Sequence, residues 1–276
     1  MNLYSTKKLA NGAEMPYLGL GVYKMTDRDE TLEAIETALD LGYRAIDTAA
    51  LYYNEEEVGE AIRHSSVPRE DIFVTTKVWN SDQGYDNTLR AFEKSLKKLD
   101  MDYIDLYLTH WPVKEKFVDT YRAIERLYDE KLIHVPGVSN HHEHHLKDIL
   151  ASCNIAPMVN QIEVHPYLSQ ESLRNYCAQE QIAVTAWSPL GRGNVLNDDT
   201  IVRIAHEYNV TPAQIILRWH LQNDVIIIPK SVTPSRIKEN SELYHFELTK
   251  ETMQQLNAVN RNERFGQNPD NFKFDF

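Results

Sequence analysis

Residues 47–55 read DTAALYYNE, and within these nine positions a carboxylate, Asp47, stands five residues before a phenol, Tyr52. Alone the pair says little, since an aspartate ahead of a helix is usually a turn or cap residue and a tyrosine usually packs. Its setting says more. Asp47 ends an apolar run, YRAID, and polar residues end other apolar runs in the same way: Lys77 follows FVTT, His110 follows LYLT and Asn140 follows HVPGVS. These four positions lie 30, 33 and 30 residues apart, a β–α period without any repeat of sequence. Titratable side chains recurring at the carboxyl ends of buried strands are what the mouth of a parallel barrel looks like in sequence.

The rest of the chain fits that frame. Asn11-Gly12 lies between two short segments and predicts a two-residue hairpin turn with both residues at positive φ. Residues 17–21 then read as a short strand, and 29–41 as a helix with Leu32, Ile35 and Leu39 on one face and Gly42 just past its end. After YRAID, Asn54 is expected to cap a helix with Glu57 three positions on and with Val58 and Ile62 buried. IFVTT, YIDLYLTH, HVPGVSN, MVNQIEV, IAVTAW and VIII supply further strands. Pro136 has no N–H for a ladder, so the HVPGVSN strand is expected to start late or to bulge. Intervening helices are marked by Leu89, Phe92, Leu96 and Leu99, by Ala123, Ile124 and Leu127, by Leu146, Ile149 and Leu150, and by 169–180. Between Trp187 and Pro229 two helical patterns appear, 199–208 and 212–222, the second opening on a Thr211 to Gln214 capping box, and one of them is an insertion. Helices 234–241 and 250–260 follow.

Eight such units predict an α/β fold: a single-domain (β/α)8 barrel over 1–276 with an N-terminal hairpin, extra helices and a short C-terminal loop. The competing open sheet would carry G-x-G-x-x-G after its first strand. Neither Gly19-Leu20-Gly21 nor Gly191-Arg192-Gly193 continues that way. Composition, 42% hydrophobic and 25% charged, is that of an ordinary globular chain. A net charge of −12 opposes nonspecific binding to nucleic acid or to anionic membrane, so any phosphate site must be local. Cys153 and Cys177 make neither a disulfide framework nor a metal-ligand spacing, and no segment has leader or membrane-spanning character, so the expected compartment is the cytoplasm.

At one rim, Asp47, Tyr52, Lys77 and His110 make a proton-handling set. A phenol with a pKa of ~10 gives up its proton slowly at neutral pH unless a cation stabilises the phenolate. Lys77 is the candidate cation, and Asp47 would keep it charged in a dry mouth. His110, as a neutral imidazole, would orient a substrate oxygen. The set suits a general acid aimed at an oxygen gaining negative charge, as in carbonyl reduction.

Together, GLGVYKM, DTAALYYNEEEVGEAI, TTKVWN, DLYLTHWP, GVSN, MVNQIEVHP, AWSPLG and IPKSVTPSRIKEN resemble the aldo-keto reductases over nearly the whole length. The resemblance implies reduction of aldehydes or ketones by hydride from NADPH, with Tyr52 as proton donor and Asp47, Lys77 and His110 completing a tetrad. It also implies Ser139, Asn140 and Gln161 as partners of the nicotinamide carboxamide and Trp187 as the ring on which the nicotinamide stacks. Ser188, Leu190 and Gly191 resemble the loop beside the pyrophosphate. Lys230, Ser231 and Arg236 resemble the 2′-phosphate clamp, and Glu239 and Asn240 the adenine contacts. Two cations beside a helix start at Thr233-Pro234 are physically suited to a phosphate. Tyr23, Trp79 and Trp111 resemble the aromatic wall of the substrate pocket. The tail, ERFGQNPDNFKFDF, resembles those of bacterial glyoxal, methylglyoxal and 2,5-diketogluconate reductases, and its brevity predicts an open pocket.

The expected function is therefore broad reduction of small carbonyl compounds by a monomer that needs no nucleic acid, membrane or metal. His141, His142, His144 and His145 raise a metal reading, since His141 and His145 share a helix face, but no third ligand is evident and the resembling family has no metal here. His141 stands where that family often has phenylalanine. A nicotinamide-binding sensor on the same barrel is the alternative, and the intact Asp47, Tyr52, Lys77 and His110 argue against it.

Overall fold

In the computed structural model, which describes residues 1–274, each apolar run pairs with a run on either side. The strands are β3 (Leu20–Gly21), β4 (Ala45–Asp47), β5 (Phe73–Val78), β6 (Ile104–Thr109), β7 (Ile133–Ser139), β8 (Val159–Glu163), β9 (Ala183–Trp187) and β10 (Ile226–Ile227). They lie side by side in chain order, each parallel to the next. The sheet closes on itself. Gly19 and Gly21 donate N–H bonds to the carbonyls of Ile227 and Pro229 at 2.9 and 3.2 Å, and Ile227 donates to Tyr17 at 2.9 Å. A Cβ on Gly21 would lie 2.8 Å from the Ile228 carbonyl oxygen, so this seam needs a residue without one. Residues 275 and 276 of the predicted domain and its terminal loop lie outside the described residues.

Parallel strands need crossovers, and helices cover the barrel outside: α1 (Arg28–Asp40), α2 (Glu55–His64), α3 (Tyr85–Leu99), α4 (Phe117–Asp129), α5 (Glu143–Leu150), α6 (Glu171–Gln179) and α8 (Pro212–Gln222). Because helices bury one sheet face and side chains fill the other, β5, β6 and β8 are buried along their whole length, including polar residues such as Thr76, Asn160 and Gln161. The inserted helix is α7 (Asp199–Tyr208), which packs on α8 and on α10 (Lys250–Ala258), while α9 (Pro234–Ser241) packs on α1 and α8. The Thr211 capping box at the start of α8 forms as its sequence predicts. Among the described residues no helix is long and apolar enough to cross a membrane.

Three local expectations are corrected. The hairpin of β1 (Thr6–Lys8) and β2 (Glu14–Pro16) turns through three residues, with Leu9 donating to the Ala13 carbonyl and Gly12 to that of Leu9. Gly12 alone takes positive φ, 89°, while the Asn11 side chain accepts from the Ala13 N–H. Pro136 neither delays nor bulges β7, which pairs with β6 in register from Ile133 to Val138. Its carbonyl still accepts from Met158 at 2.9 Å, and the ring nitrogen points to a stretch that precedes β8, so no ladder bond is lost. Asn54 precedes α2 without capping it. Its amide instead donates to the carbonyls of Val22 and Met25 at 2.9 and 3.1 Å and accepts from the Thr48 hydroxyl at 2.7 Å, tying the ends of β3 and β4 together.

Candidate active site

Asp47 is the last residue of β4, and the chain leaves it through a single 3₁₀ turn, Ala50–Tyr52, that hangs Tyr52 over the mouth. Lys77 lies near the end of β5, and His110 follows β6. Three crossings of the barrel thus bring the predicted set together: Asp47, Tyr52 and His110 line one cavity of about 450 Å³ with Tyr23, Trp79, Trp111 and Trp187, and Lys77 is held against Asp47. Lys77 is 0% exposed, so its ammonium depends wholly on protein partners. It donates to Asp47 Oδ1 at 2.6 Å and to the Thr48 carbonyl at 2.8 Å. Burial pulls its pKa down and Asp47 opposes this, the balance expected from the sequence.

Tyr52 holds its proton firmly in the resting site. Burial, then the charge of Asp47 and the neighbouring Tyr23, push its pKa well above 10. Lys77 directs its hydrogen bonds to Asp47 and Thr48 rather than to the phenol, and its Nζ lies 5.1 Å from the Tyr52 ring centre. The phenol is therefore fully protonated at neutral pH. His110 meets the edges of Tyr52 and Trp79 at ring separations of 5.8 and 5.1 Å, and its buried Nδ1 has no partner among the described residues. Burial and then Lys77 hold its pKa well below 6.5, so the imidazole is neutral as predicted.

Deeper in the cavity the residues predicted to meet a carboxamide form a closed network. Asn140 donates to the His110 carbonyl at 3.0 Å and to Ser139 Oγ at 3.2 Å, and accepts from the Trp187 indole at 2.8 Å. Ser139 donates to the Gln161 carbonyl at 2.8 Å, and Gln161 donates from Nε2 to Asp47 Oδ2 at 2.6 Å. Gln161 thereby joins this network to the Asp47 and Lys77 pair. Asn140 holds φ of 62°, a backbone conformation that asparagine tolerates better than most residues.

The remaining predicted residues spread outward. Ser188 and Lys230 line the cavity, whereas Leu190 packs into the core and Gly191 is buried against Val195 and Phe265. Ser231 accepts from the Thr233 N–H at 3.1 Å. Arg236 is exposed in the first turn of α9, whose N-terminus carries no side-chain cap. Glu239 accepts from the Thr211 hydroxyl at 2.9 Å, and Asn240 is buried beside it on the same helix.

Sequence reasoning missed the tail. Phe272 and Phe274 pack on Trp111 at 5.2 and 5.1 Å, and Phe274 meets the edge of Trp79 at 5.2 Å. The pocket predicted to be open is instead roofed on one side by Phe274, because the tail that follows α10 runs back as far as the barrel rim. What fixes that tail is Glu163, the last residue of β8, with a fully buried side chain. Its carboxylate accepts from Phe265 N–H at 2.7 Å, from Gly266 N–H at 3.1 Å and from His165 Nε2 at 3.0 Å. Burial pushes its pKa up, but those donors outweigh burial and leave the carboxyl below its usual range. Glu163 was legible only as one more polar strand end. Arg192, a cavity-lining cation, stood in the sequence only as the middle of Gly191-Arg192-Gly193.

A closed parallel barrel with an acid, a neutral imidazole and a buried lysine pair at its C-terminal mouth defines a (β/α)8-barrel enzyme. The sequence matches the Aldo/keto reductase family over residues 17–261. It is 51% identical to the glyoxal reductase of Bacillus subtilis over 99% of both chains, and 44% identical to the methylglyoxal reductase of Escherichia coli over 96% of this chain and 97% of that one. A mutant of Gox0644 solved in complex with NADPH superposes with a TM-score of 0.94 at 42% identity, covering 98% of this chain and 99% of that one. This chain belongs to the aldo-keto reductase family and is an oxidoreductase of that family.

Proposed function

We propose that the chain reduces small aldehydes and α-dicarbonyls to alcohols with NADPH, Tyr52 donating the proton. The observation that carries this reading is the buried Lys77 and Asp47 pair beneath a protonated Tyr52 and a neutral His110 in one cavity. Fit to the cofactor is supported by the donors and acceptors present. Gln161 Oε1 takes no partner among the described residues, and Lys230 and Arg192 bring cations to the cavity of a chain whose net charge is −12. The uncapped start of α9 beside Arg236 suits a phosphate. The names of the glyoxal and methylglyoxal reductases support dicarbonyl substrates, and the aromatic roof favours small ones.

When bound, NADPH supplies the hydride. The residues handle the charge that follows. Tyr52 gives its proton to the substrate oxygen as that oxygen becomes negative. His110, a neutral imidazole whose Nδ1 has no partner among the described residues, offers an Nε2–H hydrogen bond that aims the carbonyl when Nε2 carries the proton. Lys77, kept charged by Asp47 and 5.1 Å from the Tyr52 ring centre, stabilises the phenolate as it forms. NADPH consumption with methylglyoxal should fall about 10²–10⁴-fold in Tyr52→Phe, while NADPH binding, followed by fluorescence, is kept. Equal turnover by the two proteins, or none by wild type across small aldehydes and dicarbonyls, would overturn the proposal.

A further inference from the structure

The fold supplies a ligand that the histidine-rich segment lacks in sequence. We propose that His142, His144, His145 and Asp270 bind one divalent transition-metal ion of the zinc class, outside the catalytic cavity, and that the ion fastens the C-terminal tail across the barrel mouth. Asp270 Oδ1 lies 2.9 Å from His142 Nδ1, 3.2 Å from His144 Nε2 and 3.9 Å from His145 Nε2. The four donor atoms fall within 4.8 Å of one another. Zinc bonds of about 2.0–2.1 Å place tetrahedral donors about 3.4 Å apart, so the three observed separations already bracket the required edge. Three imidazoles and a carboxylate are a donor set suited to Zn²⁺ and unsuited to Mg²⁺ or Ca²⁺. His145 is buried while His144 and Asp270 are exposed, which gives the site a dry floor and an open entrance.

The same atoms also satisfy one another without an ion, and this identifies what the metal must displace. Arg264 Nη2 sits 3.0 Å from His142 Nε2, and the His142 backbone N–H donates to His145 Nδ1 at 3.1 Å. Both contacts require a bare nitrogen on the side away from Asp270, so the opposite nitrogens carry the protons. An ion on His142 Nδ1 and His145 Nε2 reverses both tautomers. Arg264 then turns to Gln170 Oε1, already 3.2 Å away, and the contact at the start of α5 opens. Arg264 is thus the competitor of the metal. The consequence for the mouth follows from sequence position: Phe272 and Phe274, just beyond Asp270, are the residues packed on Trp111 and Trp79.

The test reads binding and is independent of the carbonyl reaction. The full chain, stripped with a chelator, is dialysed against Zn²⁺ beside His144→Ala, Asp270→Asn and Arg264→Gln. Wild type is expected to retain one equivalent, His144→Ala and Asp270→Asn to bind about tenfold or more weakly, and Arg264→Gln to bind at least as tightly. Co²⁺ in place of Zn²⁺ should give the visible absorption of a tetrahedral ion in wild type and lose it in Asp270→Asn. No retained zinc, several weak equivalents, or equal affinity in Asp270→Asn would overturn the site.

Discussion

Gly266 sits where any larger residue would strike Trp187, a ring that lines the cavity at the barrel mouth. A Cβ there would lie 2.3 Å from Trp187 Cη2 and 3.0 Å from Glu163 Oε2. Its backbone is outside the left-handed region, so the need is steric rather than conformational. Gly266→Ala should therefore leave the fold intact and displace the indole, raising KM for NADPH several-fold, as steady-state kinetics would show; an unchanged KM would mean that the ring position does not matter. Residues of this kind are invisible in sequence because the contact is made across the fold. Asp47, Lys77 and His110 were legible because each lies at or within one residue of a strand's carboxyl end, and Tyr52 because it follows one by a single turn. Asn54 had the right residue type and position for a cap, yet its amide found three partners on neighbouring loops, and those bonds replaced the local one.

Among the elements, α2 meets the end of α3 at Gly59. A Cβ there would lie 2.1 Å from the Leu99 carbonyl oxygen, which is backbone at the end of α3 and cannot rotate away. Gly59→Ala, although it raises helix propensity, should destabilise the chain by about 3 kcal/mol or more, because the two helices must separate. Urea unfolding would measure it, and a stabilised variant would show that the helices slide at little cost. Element positions were largely readable: α7 and α8 fall at the predicted 199–208 and 212–222. The tail was not, since its partners, Glu163, Trp79 and Trp111, come from three other crossings of the barrel, and periodicity carries no information about which rim a terminal loop will meet.

Taken whole, the molecule stores neutral histidines in its interior. Burial pushes His220 down from 6.5 to about 3 and holds His110 well below 6.5. His220 keeps one ring nitrogen on the Pro189 carbonyl at 3.1 Å, and its buried Nδ1 has no partner among the described residues, so a second proton would enter a dry site with no acceptor among them. Because the folded pKa values lie below the unfolded one, the unfolded chain takes up more protons as the pH falls. The contribution of these neutral histidines to stability is complete above about 6.5, and that of His220 is lost progressively toward about 3. The discriminating interval is from about pH 6.5 to 5, above the usual carboxylate range. Tm should already decline there, and a constant Tm across it would refute the assignment.

The seam between β3 and β10 has a further consequence for how the protein is made. Tyr17 and Ile227 are separated by more than two hundred positions, so a ribosome adding about 5–20 residues per second holds an unclosed sheet for on the order of ten seconds or longer. Throughout that interval an unpaired strand edge is a template for a neighbouring nascent chain. The strand that waits at the seam, β3, is two residues long and contains glycine, and the strand that closes it, β10, is equally short. They offer little to a wrong partner, and closure is left to the moment when the last strand has emerged.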